Sequence, residues 1–305
     1  MVLYLTLWFP RAYRARVMAA LLLSVPFNGI IGAPLATTLM QIEGLGLRNW
    51  QWLFLIEGIP SILLGIAVLF YMTDRPSKAH WLKPDQREWL EQTLLRERNE
   101  LEAVHGTMSA WRTLIEPRVL ALCLIYIGVG TVSYGIGYFL PQIIKGIGLS
   151  VLATGFVAAI PAIVGAIGMV VVGWHSDRSP DRRWSCGIAM LVAAVGVAGM
   201  GWVGSTWWVL IPASLMAFSL EASRPLFWAL PPMFLSRSAA AVGIALINSI
   251  GNLGGVIGPV AVGWAKDATQ SFAGGLYFIA IVTALAAILV IATGPRHITV
   301  RQPAE

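Results

Sequence analysis

Two ionisable residues stand near the middle of the apolar stretch 207–235: Glu221 and, three positions later, Arg224. In a helix that spacing puts both side chains on one side, a turn apart. Each charge at membrane depth costs about 2.5–3.5 kcal/mol on insertion scales, which disfavours isolated exposure to lipid and calls for a partner. Two readings are open. The pair neutralises itself inside a bundle, or Arg224 anchors a substrate carboxylate while Glu221 responds to protons. Asn248 and Asn252, four apart, share a helix face and either line a polar cavity or join helix to helix through their amides. Tyr134, Tyr138 and Gln142 form a polar stripe at the same spacing in the apolar block 119–143, as packed side chains with satisfied polar groups or as a cavity lining. Trp228 follows Pro225 and precedes Pro231 and Pro232, where a kinked helix is expected. No nucleophile with a base, and no ligand set for a metal, appears at membrane depth. His80, His105, His175 and His297 all fall in connections, and Cys123 and Cys186 stand apart inside apolar blocks. The expectation is therefore no enzyme, no metal and no cofactor.

The elements that must position these residues are set by composition. With 57% hydrophobic and 12% charged residues over 305 positions, the apolar surface exceeds what one soluble core can hide, and a polytopic helical membrane protein is the expectation. The apolar blocks run for about 20 residues, the length that crosses a hydrocarbon core as helix. Between Thr73 and Arg118 the pattern inverts: this stretch holds 16 of the 36 Lys, Arg, Asp and Glu residues and cannot enter hydrocarbon. Before it lie a short apolar segment (1–9), a span from about Ala15 to Met40 rich in Pro and Gly, and a span from about Trp50 to Met72 opened by Trp50 and Trp52. After it come six blocks, about 119–143, 151–174, 185–203, 207–235, 239–264 and 273–294. Within the divider, Asp85-Gln-Arg-Glu88 has the form of a capping box, and Trp89, Leu90, Leu94, Leu95 and Leu101 recur at near-helical spacing. An amphipathic surface helix is predicted there, as a solvated linker or as a partner-binding element. With the divider on the cytoplasmic side, 17 Lys and Arg residues face inward and 3 outward, so the rule of positive charge inside places the C-terminus in the cytoplasm. The formal charge of +6 is thereby assigned to topology, not to nucleic acid. Met1 leads straight into apolar residues with no basic leader or cleavage site, so no signal peptide is expected.

An internal echo joins the two sides of the divider. Phe9-Pro10 with basic residues, then Gly29-Ile-Ile-Gly32-Ala-Pro34, is matched by Phe234-Leu-Ser-Arg237, then Gly255-Val-Ile-Gly258-Pro259. Repeated halves with a site at their interface are common among secondary transporters. The run Gly173-Trp-His-Ser-Asp177-Arg178-Ser-Pro-Asp-Arg182-Arg183 resembles the loop motif of the major facilitator superfamily, with Pro180 where that motif has its second glycine. Trp8-Phe-Pro with Arg14-Ala-Arg16, Trp50-Gln-Trp-Leu-Phe-Leu-Ile-Glu57-Gly-Ile-Pro60, Asp74-Arg-Pro-Ser-Lys-Ala-His-Trp-Leu82 and Ile247-Asn-Ser-Ile-Gly-Asn-Leu-Gly-Gly-Val-Ile-Gly-Pro259 are similar to the anion:cation symporter branch, most of all to its tartrate, phthalate and hydroxyphenylacetate permeases.

That resemblance covers essentially the whole chain and implies an all-α fold with a complete C-terminal six-helix bundle and a partial N-terminal one. It implies proton-coupled uptake of a small organic carboxylate, a tartrate-like acid, a sugar acid or an aromatic acid, by a multi-pass protein of the bacterial inner membrane acting as a monomer. Asn248 is the residue it favours for substrate contact, and Trp228 becomes an aromatic wall. Gly173, Asp177, Arg178, Arg182 and Arg183 become a conformational loop whose charges pair between helix ends. The expected parts are 1–72 (end of the fourth span, then the fifth and sixth), 73–118 (cytoplasmic loop), 119–294 (C-terminal bundle) and 295–305 (tail). On that template the chain begins within the fourth span. The carboxylate-binding arginine of the first span and the acidic coupling residues of the first and fourth would lie upstream of Met1, through a start placed too late or a truncated gene. The competing expectation is a non-transporting remnant of such a permease.

Overall fold

The computed structural model describes residues 2–10, 13, 17, 20–44, 46–105, 113–176, 181–231, 235 and 237–293. Eleven α-helices account for most of them: α1 (Val2–Trp8), α2 (Ser24–Leu39), α3 (Asn49–Tyr71), α4 (Pro84–His105), α5 (Pro117–Lys145), α6 (Val151–Ser176), α7 (Arg182–Val203), α8 (Leu210–Trp228), α9 (Arg237–Gly251), α10 (Gly254–Thr269) and α11 (Ala273–Thr293). Seven described helical stretches are long and apolar enough to cross a membrane, with α9 and α10 counting as one. The α8 helix is outside that set because Glu221, Arg224, three serines and two prolines dilute its apolar character. By its contacts the chain forms two compact units, one of residues 1–106 with 150–159, the other of 107–149 with 160–305.

In the first unit the connection between α2 and α3 is tied by side chains. Asn49 Nδ2 donates to Met40 O at 2.9 Å, Trp52 Nε1 donates to Gly44 O at 3.3 Å, and Gln51 Oε1 accepts the Arg48 amide at 2.7 Å as half of a capping box. No α3 residue is buried within the chain, so that helix presents apolar side chains all round, as a span does. The predicted amphipathic helix is α4, but it starts earlier than the Asp85–Glu88 box implies. Pro84 opens it, since a ring-fixed φ and a missing N–H suit the first helical position. Gln86 Oε1 then accepts the Lys83 amide at 3.4 Å, and Glu88 accepts from Gln92 at 3.2 Å one turn on. Arg87 anchors the helix to the turn before it through Ala79 O at 2.9 Å. That turn rests on α1: Trp81 stacks on Trp8 with centroids 5.6 Å apart and planes 7° apart, and Tyr4 Oη donates to Thr73 O at 2.9 Å.

The second unit holds one continuous core. On α5 the buried positions Leu122, Ile125, Val129, Val132, Ile136, Phe139 and Ile143 alternate in steps of three and four. The same alternation gives Cys186, Met190, Ala193, Val197 and Met200 on α7, and Leu276, Ile279, Thr283, Ala286 and Val290 on α11. That spacing is the seam of helices crossing at shallow angles with interlocked ridges. Small residues bring backbones together where it closes tightest: a Cβ on Gly130 of α5 would sit 2.7 Å from Gly251 O and 3.4 Å from Gly254 Cα.

The block read as one span over 239–264 differs in two ways. It is interrupted at Asn252 and Leu253, between α9 and α10, where Gly251, Gly254 and Gly255 weaken helical continuity. It also runs on to Thr269, so Lys266, two residues past the expected end of the block, belongs to the last turn of α10.

Candidate functional site

Helices α5, α6 and α8 meet around the Glu221–Arg224 pair. Arg224 Nε lies 3.0 Å from Glu221 Oε2, an ion pair close in distance but not aligned along an N–H direction, while Nη2 donates to Ser133 Oγ on α5 at 3.1 Å. The Ser133 hydroxyl in turn gives its proton to Val129 O at 2.6 Å, so its lone pairs are free to accept from the guanidinium. Room for Glu221 comes from α6, where a Cβ on Gly165 would meet Glu221 Cγ at 3.0 Å. Both charged side chains are largely buried, Glu221 keeping 13% and Arg224 19% of its surface accessible.

Beside this cluster three rings touch one another. Tyr126 stacks on Phe227 at 5.1 Å between centroids and meets Trp228 edge-on at 5.0 Å, and Phe227 and Trp228 are 5.4 Å apart. The kink expected around Trp228 takes the form of a stop: α8 ends at Trp228, three residues after Pro225. Tyr134 Oη donates to Asn252 Oδ1 at 3.3 Å, which ties the break between α9 and α10 to the polar stripe of α5. Asn248 is exposed within the unit and its side chain has no hydrogen bond to a described residue, while its carbonyl accepts from the Asn252 amide at 3.1 Å. Tyr138 is 66% exposed and meets Phe139 edge-on at 5.2 Å. At the far end of α5, Gln142 Oε1 accepts from Lys266 Nζ at 3.3 Å, and that ammonium sits 4.7 Å from the centroid of Phe272.

Of the residues expected from sequence, the structure thus brings together Glu221 with Arg224 and Tyr134 with Asn252. It adds Ser133, Tyr126 and Lys266, which no spacing in the sequence singles out. Ser133 adjoins the tyrosine stripe but at an angle of about 100° from Tyr134 on the helix wheel, so the spacing of four could not include it. Within the loop motif, Gly173 closes α6 near its end, and Asp177 and Arg178 lie outside the described residues, as does the Arg182 side chain. Arg183 is paired locally, its Nε 2.8 Å from Asp181 Oδ2, and Asp181 Oδ1 also accepts the Arg183 amide at 3.2 Å as an N-cap of α7. Cys123 and Cys186 are buried free thiols. Among the described residues no group of His, Cys, Asp and Glu has the arrangement of a metal site. A cavity of about 190 Å³ lined by Ile143, Met200, Ser205, Gln270 and Phe272 contains none of the expected site residues.

Residues 1–259 match the family described as Major Facilitator Superfamily. A protein of Agrobacterium vitis named "Putative tartrate transporter" is 44% identical over 301 residues, which is 97% of this chain and 69% of that protein. A "Quinolone resistance transporter" of Acinetobacter baumannii is 38% identical over 94% of this chain and 67% of its own length. Among solved structures, a D-xylose-proton symporter superposes with a TM-score of 0.66 at 15% identity, over 97% of this chain and 67% of that one. At that identity the likeness is one of fold.

Proposed function

Because the chain belongs to the major facilitator superfamily, we propose that it takes part in proton-coupled uptake of a small organic carboxylate, with a tartrate-like acid as the first candidate. The observation that carries this reading is a guanidinium held inside a membrane bundle, where Arg224 has one carboxylate partner and one neutral one. A buried cation with a partly satisfied fork is suited to a carboxylate arriving side-on, and a guanidinium gives such a ligand two parallel hydrogen bonds. The Agrobacterium vitis relative bears tartrate transport in its name, which supports the same ligand class.

In this reading Glu221 is the proton-responsive group. When a substrate carboxylate takes over the guanidinium, Glu221 loses its counter-charge in a poorly hydrated place and is driven to take up a proton. Asn248, Asn252, Tyr134, Tyr138 and Gln142 line the path with neutral donors and acceptors, and Trp228 with Tyr126 offers an apolar wall. Gly173, Asp177, Arg178, Arg182 and Arg183 form the loop that biases one state of the alternating cycle. Residues 1–72, 73–118, 119–294 and 295–305 act as N-terminal helices, cytoplasmic loop, C-terminal bundle and tail of a monomer in the bacterial inner membrane, with the C-terminus in the cytoplasm.

The test is uptake of labelled tartrate by cells producing the protein, with an imposed proton gradient and with a protonophore. Uptake is expected to rise with external acidity, to collapse with the protonophore, and to fall at least tenfold in Arg224→Ala. Uptake indifferent to the gradient would remove the coupling, and an Arg224→Ala protein that transports normally would remove the anchor.

A further inference from the structure

Lys266 of α10, like Arg224 of α8, donates to a side chain of α5, and its surroundings differ from those of Arg224 in one respect that matters electrically. Arg224 has a carboxylate 3.0 Å away, whereas no carboxylate of the described residues lies within ion-pair distance of Lys266. Asp267 follows it in the chain but does not pair with it, and Lys145, on the last turn of α5, adds positive charge near the same end. The partners Lys266 does have are neutral, the Gln142 amide oxygen at 3.3 Å and the Phe272 ring at 4.7 Å. They fix the position of the ammonium without cancelling its charge. Lys266 thus lacks the close counter-charge that Glu221 provides for Arg224.

Distance decides whether the two cations act together. Ser133 and Gln142, which receive them, are nine residues apart on one helix, about 13 Å along its axis. On the helix wheel they lie about 180° apart, with Tyr134 and Tyr138, both more than half exposed, between them. A four-carbon dicarboxylate spans no more than about 6 Å between its outer oxygens, so it cannot bridge them. The two cations are successive contacts and not a clamp.

We infer that Lys266 is an anion-capture residue, which draws a carboxylate to the Gln142 end of α5 before the carboxylate reaches Arg224. This rests on the carboxylate reading above and adds an order of events to it. An unneutralised charge at a mouth acts on encounter, so its removal slows association and leaves dissociation from the inner position unchanged. At about 6 Å in water one unit of charge alters encounter about threefold, so the effect is about threefold for a monoanion and about tenfold for a dianion, shrinking as salt screens it.

The experiment uses the full chain in lipid nanodiscs and stopped-flow tryptophan fluorescence, with tartrate, its monomethyl ester and the uncharged dimethyl ester as probes at low and high salt. Lys266→Gln is expected to slow tartrate association about tenfold and that of the monoester about threefold, to leave the diester unaffected, and to flatten the salt dependence. Lys266→Arg keeps the wild-type values, and Arg224→Ala instead speeds dissociation. Association and salt slope equal to wild type in Lys266→Gln, or a loss shared equally by the diester, would overturn the capture role while leaving the carboxylate reading in place. Failure of the wild-type protein to bind any of the three overturns both.

Discussion

Arg224 shows how one residue can be legible in type and illegible in setting. The sequence placed it one turn from Glu221 and required a partner, and the structure supplies that partner at 3.0 Å. What the sequence could not supply was Ser133, 91 positions away, because a contact between helices leaves no periodic trace in either. The pair makes a prediction at this scale. Glu221→Ala leaves a guanidinium inside the bundle with one neutral partner, and is expected to cost about 3 kcal/mol, since stranding a buried charge exceeds the worth of the pair itself. The double variant Glu221→Ala with Arg224→Ala is expected to be more stable than Glu221→Ala alone. Unfolding in mixed micelles titrated with dodecyl sulfate measures both, and strict additivity of the two single losses would contradict the pairing. The same logic separates Tyr134 from Tyr138. They are alike in spacing, yet Tyr134 alone has a bond to Asn252.

At the scale of helices, apolar length and the three-four alternation of buried positions were legible, because oil-filled thickness and ridge packing both write themselves into spacing. The start of α4 lies two residues before the one the Asp85–Glu88 box implies, because Pro84 competes with Asp85 for the first turn and ring geometry prevails. The interruption between α9 and α10 was hidden for a different reason. Glycine suits both a close approach of backbones and the end of a helix, and here Gly251 and Gly254 serve both. Gly130→Ala tests the close approach. Its new methyl meets backbone, which cannot swing aside, so a loss of about 1–3 kcal/mol is expected. Gly137→Ala on the same helix faces open space and is expected to be neutral, and equal effects of the two would refute the contact. Trp81→Ala should loosen α1 from the turn before α4, read as faster proteolysis near Lys83, with α5 to α11 unaffected.

For the molecule as a whole, membership of the major facilitator superfamily was visible in short motifs spread along the chain, and residues 1–259 match that family. Two of those motifs meet in space, Trp8 upon Trp81. The proposed topology predicts that reporters fused after His105 and after Gln302 have the same sidedness, and opposite readings would refute it. The charges on α8 bear on how the chain is made. A segment that carries Glu221 and Arg224 is a poor substrate for release from the translocon into lipid by itself, as its absence from the strongly apolar set indicates. It is expected to enter as the second arm of a hairpin with α7, against which it is docked where Cys186 Sγ donates to Ser223 O at 3.8 Å. Presented alone to microsomes α8 should be left in the lumen, and presented behind α7 it should be retained in the bilayer, so that biosynthesis holds the earlier helix back until its polar companion has emerged from the ribosome.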